Sequence, residues 1–331
     1  MMIRVVLCSV ILWCSALTSG ARAADLPEIR VGVLKYGTLN WELDLAEAKQ
    51  LPEQYGFKLT RVALGSPQAL SVALQGGAVD MIVGDWLWAA RQFDEGRLYH
   101  FYPYSTAAGE LVVDAKANAS DMGDLQGKTI GFAGGKGNKN WLLYSAYAKQ
   151  HFNFDLDQQA TIKFAAPPML NQLMLRDQLD AVVNFWHYAA ELKTHNKRSL
   201  LTMDEVLASW QIGAEVPVIG WLFKQDWASR NKALIDQFFA MSFDTRALMD
   251  TDDNVWQLIP SFTNKYSEGA RPVLIEHYRR GIPTRFDENI TTDLQKLFRV
   301  LKQNEGTTRV TGSLESLPQS LFWQSPALGE H

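Results

Sequence analysis

Strand-length apolar runs and helix-length segments alternate along this chain, and the alternation occurs twice. In the first pass a β-rich run, Ile29 to Leu34, meets a glycine-containing loop. The helix that follows has Asn40 placed to act as N-cap and Gly56 placed to end it. A second strand, Lys58 to Ala63, leads to a helix opened by Ser66-Pro67, because proline suits the first helical turn. A third strand carries Asp80 and runs into a tryptophan-bearing helix. The second pass reads the same way: a strand over Lys128 to Phe132, a helix capped by Asn140, a strand over Thr161 to Phe164, a helix opened by Pro167-Pro168, then a strand with Asp180 and a helix with Trp186. Strand, helix, strand, helix, strand is the alternation of a parallel α/β sheet.

The two passes match in register at an offset of about 100 residues, the mark of an internal repeat. Val31-Gly32, Asn40-Trp41 and Ala48-Lys49-Gln50 answer to Ile130-Gly131, Asn140-Trp141 and Ala148-Lys149-Gln150. Further on, Val79-Asp80-Met81-Ile82-Val83 with Trp86, Trp88 and Ala89-Ala90 answers to Leu179-Asp180-Ala181-Val182-Val183 with Trp186, Tyr188 and Ala189-Ala190. Two lobes on one plan follow. In open α/β sheets ligands bind beyond the carboxyl ends of the strands, which selects the loops 34–41, 84–88, 133–141 and 184–188. Two such edges facing each other across a hinge make a clam with its ligand between the jaws.

These residues resemble the periplasmic substrate-binding proteins of the nitrate, sulfonate and taurine ABC transporter type, a group that includes the NMT1/THI5-like and SsuA/TauA-like proteins. The resemblance is carried by Ala78-Val79-Asp80, by the glycine-rich loop and helix after Lys128-Thr129-Ile130-Gly131, by Leu179-Asp180-Ala181-Val182-Val183-Asn184 with Trp186, and by Val218-Ile219-Gly220-Trp221-Leu222-Phe223. It implies the type II periplasmic binding fold, α/β, in which the chain crosses between lobes twice. We place the crossings near Thr106 to Glu110 and near Ile212 to Val216. That division makes 24–110 the first part of lobe 1, 111–214 lobe 2, and 215–331 the return to lobe 1. Arg271 to Arg280 and Thr292 to Leu301 then read as amphipathic helices covering lobe 1. The resemblance also implies a permease in the inner membrane as partner, a monomer, and no cofactor.

The amino terminus changes the compartment. Arg4 precedes an apolar run from Val5 to Leu17 that ends in Ala21-Arg22-Ala23, the pattern of a secretory signal peptide over 1–23. A dozen apolar residues fall short of the roughly 20 that span a bilayer. Removing 23 residues from 331 leaves 308, enough for two lobes with real cores. Both cysteines, Cys8 and Cys14, lie in that leader, so the remaining chain has no thiol for a disulfide or a nucleophile. Ile11-Leu12-Trp13 lacks the small residue that lipidation at Cys14 would want. Loss of Arg4 and Arg22 takes the formal charge from -4 to -6, and an acidic surface without basic runs argues against nucleic acid or anionic lipid as partner. The location implied is the periplasm.

The candidate chemistry sits in the four loops. Gly134-Gly135-Lys136-Gly137-Asn138-Lys139-Asn140 opens a helix, so its free N–H groups and dipole form an anion site, to which Lys136 or Lys139 adds charge; the alternative is an exposed turn with two ordinary lysines. The stretch lacks the third glycine of the dinucleotide fingerprint, and Gly137 stands where a phosphate loop needs Ser or Thr. Of eleven tryptophans, Trp41, Trp86, Trp141 and Trp186 hold repeat-related positions at the cleft edge, as ligand walls or as core. Asp85 stands at the position that Phe185 holds in the other copy, and Gly84 is matched by Asn184; Asp85 serves either an amine or hydroxyl of the ligand or the cap of the next helix, and Asn184 ends a buried strand where its amide needs partners. The candidate ligand residues are therefore Thr38, Asn40, Trp41, Asp85, Trp86, Lys136, Asn138, Asn140, Trp141, Asn184 and Trp186. No catalytic residue is assigned. His187, Glu191 and His195 share one helix face at metal-ligand spacing, but helices produce that spacing often.

A receptor that closes on a small organic anion (sulfonate, carboxylate or heterocycle) fits best. The rivals are a cofactor-free enzyme using Asp85 and His187 as acid and base, a signalling receptor on the same fold, and a hard-cation receptor, for which the loops offer only Asp85 and Glu42.

Overall fold

The computed structural model describes residues 26–306 and 309–325; the proposed signal peptide, with both cysteines, lies outside them. Among the described residues ten strands form two sheets. They are β1 (Glu28–Leu34), β2 (Lys58–Leu64), β3 (Met81–Gly84), β4 (Tyr99–Ser105), β5 (Glu110–Asp114), β6 (Thr129–Ala133), β7 (Thr161–Ala165), β8 (Ala181–Asn184), β9 (Lys197–Leu201) and β10 (Ile219–Lys224). The first sheet runs β2-β1-β3-β10-β4 and the second β7-β6-β8-β5-β9. In each, three strands are parallel and one antiparallel strand joins them to the edge: β10 pairs antiparallel with β3 and β4, β5 with β8 and β9. The chain passes from the first sheet to the second between β4 and β5, and returns between β9 and β10.

The repeat is a physical one. Asp80 Oδ2 accepts from Arg30 N at 2.8 Å while its own N–H donates to Arg30 O; Asp180 Oδ2 accepts from Thr129 N at 2.8 Å while its N–H donates to Thr129 O. Both aspartates therefore fasten the third strand of their sheet to the first. Gly32 and Gly131 are matched just as closely. A Cβ on Gly32 would lie 2.9 Å from Ile82 and 3.0 Å from Leu70, and one on Gly131 would lie 2.7 Å from Leu179 and 2.8 Å from Leu170. The helices Pro67–Gly76 and Pro167–Leu175 approach their sheets too closely there for any side chain.

Three local expectations are corrected. Asn40 is not the cap of the first helix, Leu39–Ala48: Thr38 occupies that position without a side-chain bond, and Asn40 Nδ2 instead donates to Leu34 O and Gly37 O at 2.8 Å, tying the preceding loop. Asn140 is likewise inside its helix, Lys139–Phe152, whose cap is Asn138, with Oδ1 accepting from Asn140 N at 2.9 Å. In both cases the loop closes earlier than the apolar pattern suggests. The first helix also stops before Gly56. Pro52 has no N–H to offer Ala48 O, so the chain turns left-handed at Gln50 (φ 55°) and makes one more turn, Leu51–Gln54, before Gly56 (φ 83°). The repeat-related helix has no proline and continues to Phe152.

The C-terminal helices Arg271–Arg280 and Glu288–Asn304 do more than cover the first sheet. Leu274 and Tyr278 pack in one cluster with Trp41 and Leu45 from the first lobe and Trp186 and Ala190 from the second. Gly213 N donates to Asp293 Oδ2 at 2.9 Å, and Thr106 N to Gly281 O at 3.0 Å, so both helices brace the segments by which the chain changes lobe.

Candidate functional site

The strand ends of the two sheets meet in a closed seam. A small cavity of about 20 Å³ remains there, lined by Thr38, Tyr104, Ser105, Trp186, Ile219, Arg246, Tyr278, Gly281 and Ile282. Trp186 comes from the second lobe and the rest from the first or from the helices bracing the crossings. The space holds about one water molecule, so nothing larger fits between the sheets in this closed arrangement. A larger hollow of about 560 Å³ lies at the opposite end of the first sheet, between Tyr99 and Lys224; it is open to solvent and has no buried charge.

Arg246 gives the seam its chemistry. It projects from the helix Lys232–Thr251 and is almost fully buried; Nη1 donates to Tyr104 O at 3.1 Å and Nε to Ser242 O at 3.4 Å. Among the described residues Nη2 has no hydrogen-bond partner. Glu42 Oε2 stands 4.0 Å from Arg246 Nε, and Glu42 Oε1 accepts from Ser242 Oγ at 2.6 Å. Burial pushes the Glu42 carboxyl up from its ordinary range, while Arg246 and Ser242 pull it back. Glu42 Oε2 and the Tyr104 and Tyr278 hydroxyls lie buried beside one another, with the Tyr104 hydroxyl next to both of the others. Burial raises both tyrosines well above the usual phenol range, so both hydroxyls keep their protons. A guanidinium with a free edge, neutral hydroxyls and walls of Trp186, Ile219 and Ile282 can hold an oxyanion carrying an apolar body.

Of the residues singled out from sequence, Thr38 and Trp186 line this cavity. Trp41 is buried beside it, edge-on to Trp186 at 5.8 Å and Phe262 at 5.0 Å, and closes the seam as a packing residue. Asp85 caps the helix Trp86–Asp94, accepting from Leu87 N at 2.9 Å, and also meets Lys139 Nζ of the second lobe at 3.1 Å. Trp86 is core, with Lys139 Nζ 4.8 Å above its ring. Lys136 is exposed and paired with Asp157, which leaves Lys139 as the loop's inward-facing cation. Asn138 caps its helix, Trp141 packs against Phe132 and Phe164 in the second-lobe core, and Asn140 sits beside Gly109 at the first crossing. Asn184 has its amide fully occupied: Nδ2 donates to Pro167 O and Asn171 Oδ1, and Oδ1 accepts from Phe185 N. His187, Glu191 and His195 do not converge, and among the described residues no three His, Cys, Asp or Glu side chains gather as a metal site would need.

Sequence reasoning missed Arg246, Tyr104, Ser105, Ile219, Tyr278, Gly281 and Ile282 because it followed the repeat, and these residues lie outside it. One signal was present. Phe238, Ser242, Thr245, Arg246 and Met249 share the buried stripe of one helix, and a charge on such a stripe needs a reason.

The sheet order, repeated in two lobes with the seam at the strand ends, defines the periplasmic binding protein fold, and solved structures bear this out. The periplasmic aliphatic sulphonate binding protein SsuA from Escherichia coli superposes with a TM-score of 0.69 at 16% identity, covering 92% of this chain and 94% of that one. The alkanesulfonate-binding protein SsuA from Xanthomonas axonopodis pv. citri, bound to MOPS, gives 0.70 at 19% identity over 92% and 100%. The ligand binding component of an ABC-type import system from Staphylococcus aureus, with zinc bound, gives 0.65 at 13% over 91% and 97%. No family model matches the sequence, and no curated protein matches it. No helix among the described residues is long and apolar enough to cross a membrane.

Proposed function

We propose that this chain is a periplasmic solute receptor of an ABC importer. In this reading a first lobe of 24–110 and 215–331 closes on a second of 111–214 around a small organic anion, after removal of residues 1–23, and presents the closed form to a permease in the inner membrane. It acts by binding alone. The observation that carries the reading is Arg246: a buried guanidinium whose Nη2 has no hydrogen-bond partner among the described residues, set in the wall of an interlobe cavity beside the Tyr104 and Tyr278 hydroxyls. A buried cation costs several kcal/mol unless it is matched, and Glu42 at 4.0 Å matches it only in part. An anion in the cavity completes the match. The sulfonate ligands named for two of the similar structures are of that charge type.

The test is a thermal-shift screen of the purified protein against ethanesulfonate, MOPS, small carboxylates, pyrimidines, amines and divalent metals. A ligand present at a hundred times its dissociation constant stabilises by about 2.7 kcal/mol, a few degrees for a chain of this size. Arg246→Met is expected to abolish the response to anions and Lys136→Ala to leave it intact. Stabilisation by metals alone, or an anion response that survives Arg246→Met, overturns the reading.

A further inference from the structure

We infer that Lys139 and Asp85 form a charge-matched latch that lets the lobes rest together without ligand. Lys139 is the first residue of a second-lobe helix, yet its side chain leaves that lobe. Nζ donates to Asp85 Oδ1 at 3.1 Å and to Val218 O at 2.6 Å, both in the first lobe, and lies 4.8 Å over the face of Trp86. The side chain is 5% exposed. An ammonium that enters so dry a seam sheds its water, and only a countercharge and good acceptors replace it. Asp85 supplies the charge, Val218 O a second acceptor, and the indole face the third side. When the lobes part, both charges return to water at little cost.

The repeat shows that the fold itself does not require this pair. The related positions carry Leu39 and Phe185, both apolar. One half of the molecule thus opens its helix with a hydrocarbon side chain, and the other with a cation that must find its partner across the seam. Asp85 already serves as helix cap through Leu87 N, so its carboxylate is fixed in place before Lys139 arrives. The inference stands on these contacts and is independent of which ligand the receptor takes.

The latch makes an asymmetric prediction. Asp85→Asn keeps the cap, because asparagine accepts the same N–H, but leaves Lys139 buried without a countercharge and disfavours closure. Lys139→Met removes the cation and its desolvation together, and leaves Asp85 a third exposed and still capping its helix, so closure persists. Protein unfolded in guanidinium to strip any ligand, then refolded, is measured by small-angle X-ray scattering. Wild type and Lys139→Met are expected to share the radius of gyration of a compact chain of this length, about 19 Å, and Asp85→Asn to exceed it by about 1 Å, as lobe opening does. Spin labels on cysteines placed at the exposed Val72 and Met169, with Cys8 and Cys14 changed to serine, read the same opening as a longer interlobe distance. An expanded wild type, an Asp85→Asn protein as compact as wild type, or equal expansion of both variants overturns the latch.

Discussion

The two lobes carry the same frame and different faces. Asp80 and Asp180 make the same pair of backbone contacts, and Gly32 and Gly131 make room for the same helix. At the seam the copies part company. Trp141 packs into its own lobe against Phe132 and Phe164, whereas Trp41 lies between the lobes, against Trp186, Trp256 and Phe262. Trp86 is sealed in the first-lobe core under Lys139, whereas Trp186 borders the cavity. A repeat keeps what packs a sheet against its helices, since each lobe needs that packing alone. It is free to diverge where the lobes meet, since that surface answers to the partner lobe and, in the proposed reading, to the ligand.

The largest test of this contrast is a pair of truncations. Trp41→Ala and Trp141→Ala each remove a buried indole and are expected to cost about 3–5 kcal/mol in denaturant titrations. Amide hydrogen exchange separates them. Trp41→Ala loosens the seam residues of both lobes, including Trp186 and Tyr278, and Trp141→Ala loosens only the second lobe. Equal patterns of exchange would remove the distinction between seam and core.

A smaller effect concerns His187, which lies buried in the seam beside Trp41 at 6.5 Å. Burial, helped by the nearby Lys265 charge, pulls its imidazole down from 6.5 to about 3. The unfolded chain therefore binds a proton that the folded chain refuses between those two values. Stability contributed this way is unaffected above pH 6.5 and falls as pH drops towards 3, by about 2 kcal/mol at pH 5. His187→Phe removes that slope. A slope surviving His187→Phe would assign the effect to other groups, such as His100, whose imidazole burial also pulls down.

The smallest difference is expected between the two frame glycines. Gly32→Ala and Gly131→Ala should each destabilise by about 1–3 kcal/mol through overpacking, and the two values should agree within about 0.5 kcal/mol if the lobes are equivalent there. A large gap would mean that one helix can retreat from its sheet and the other cannot.

Much of the frame was legible in the sequence. Alternating strand and helix signals, matched at an offset of about 100 residues, specify two α/β lobes, because sheet and helix periodicities and the aspartate and glycine contacts act over short stretches of chain. The helix starts at Leu39 and Lys139 were misplaced by a residue or two, because which residue caps a helix depends on where the loop before it closes. The same holds for the break at Gln50, which Pro52 enforces.

The face proposed to hold the ligand was legible only in part. Trp186 was singled out through the repeat and Thr38 as part of the strand-end loop 34–41, whereas Arg246 and Tyr278 reach the seam from helices more than 200 residues away from Thr38 along the chain, and only the packing of the return segment brings them there. The same is true of Lys139: sequence placed a cation in a glycine-rich loop, but its partner Asp85 belongs to the opposite lobe. Local chemistry writes the strands, helices and internal braces of each lobe. Charge matching across the seam depends on distance in space, which a linear pattern of residues does not carry.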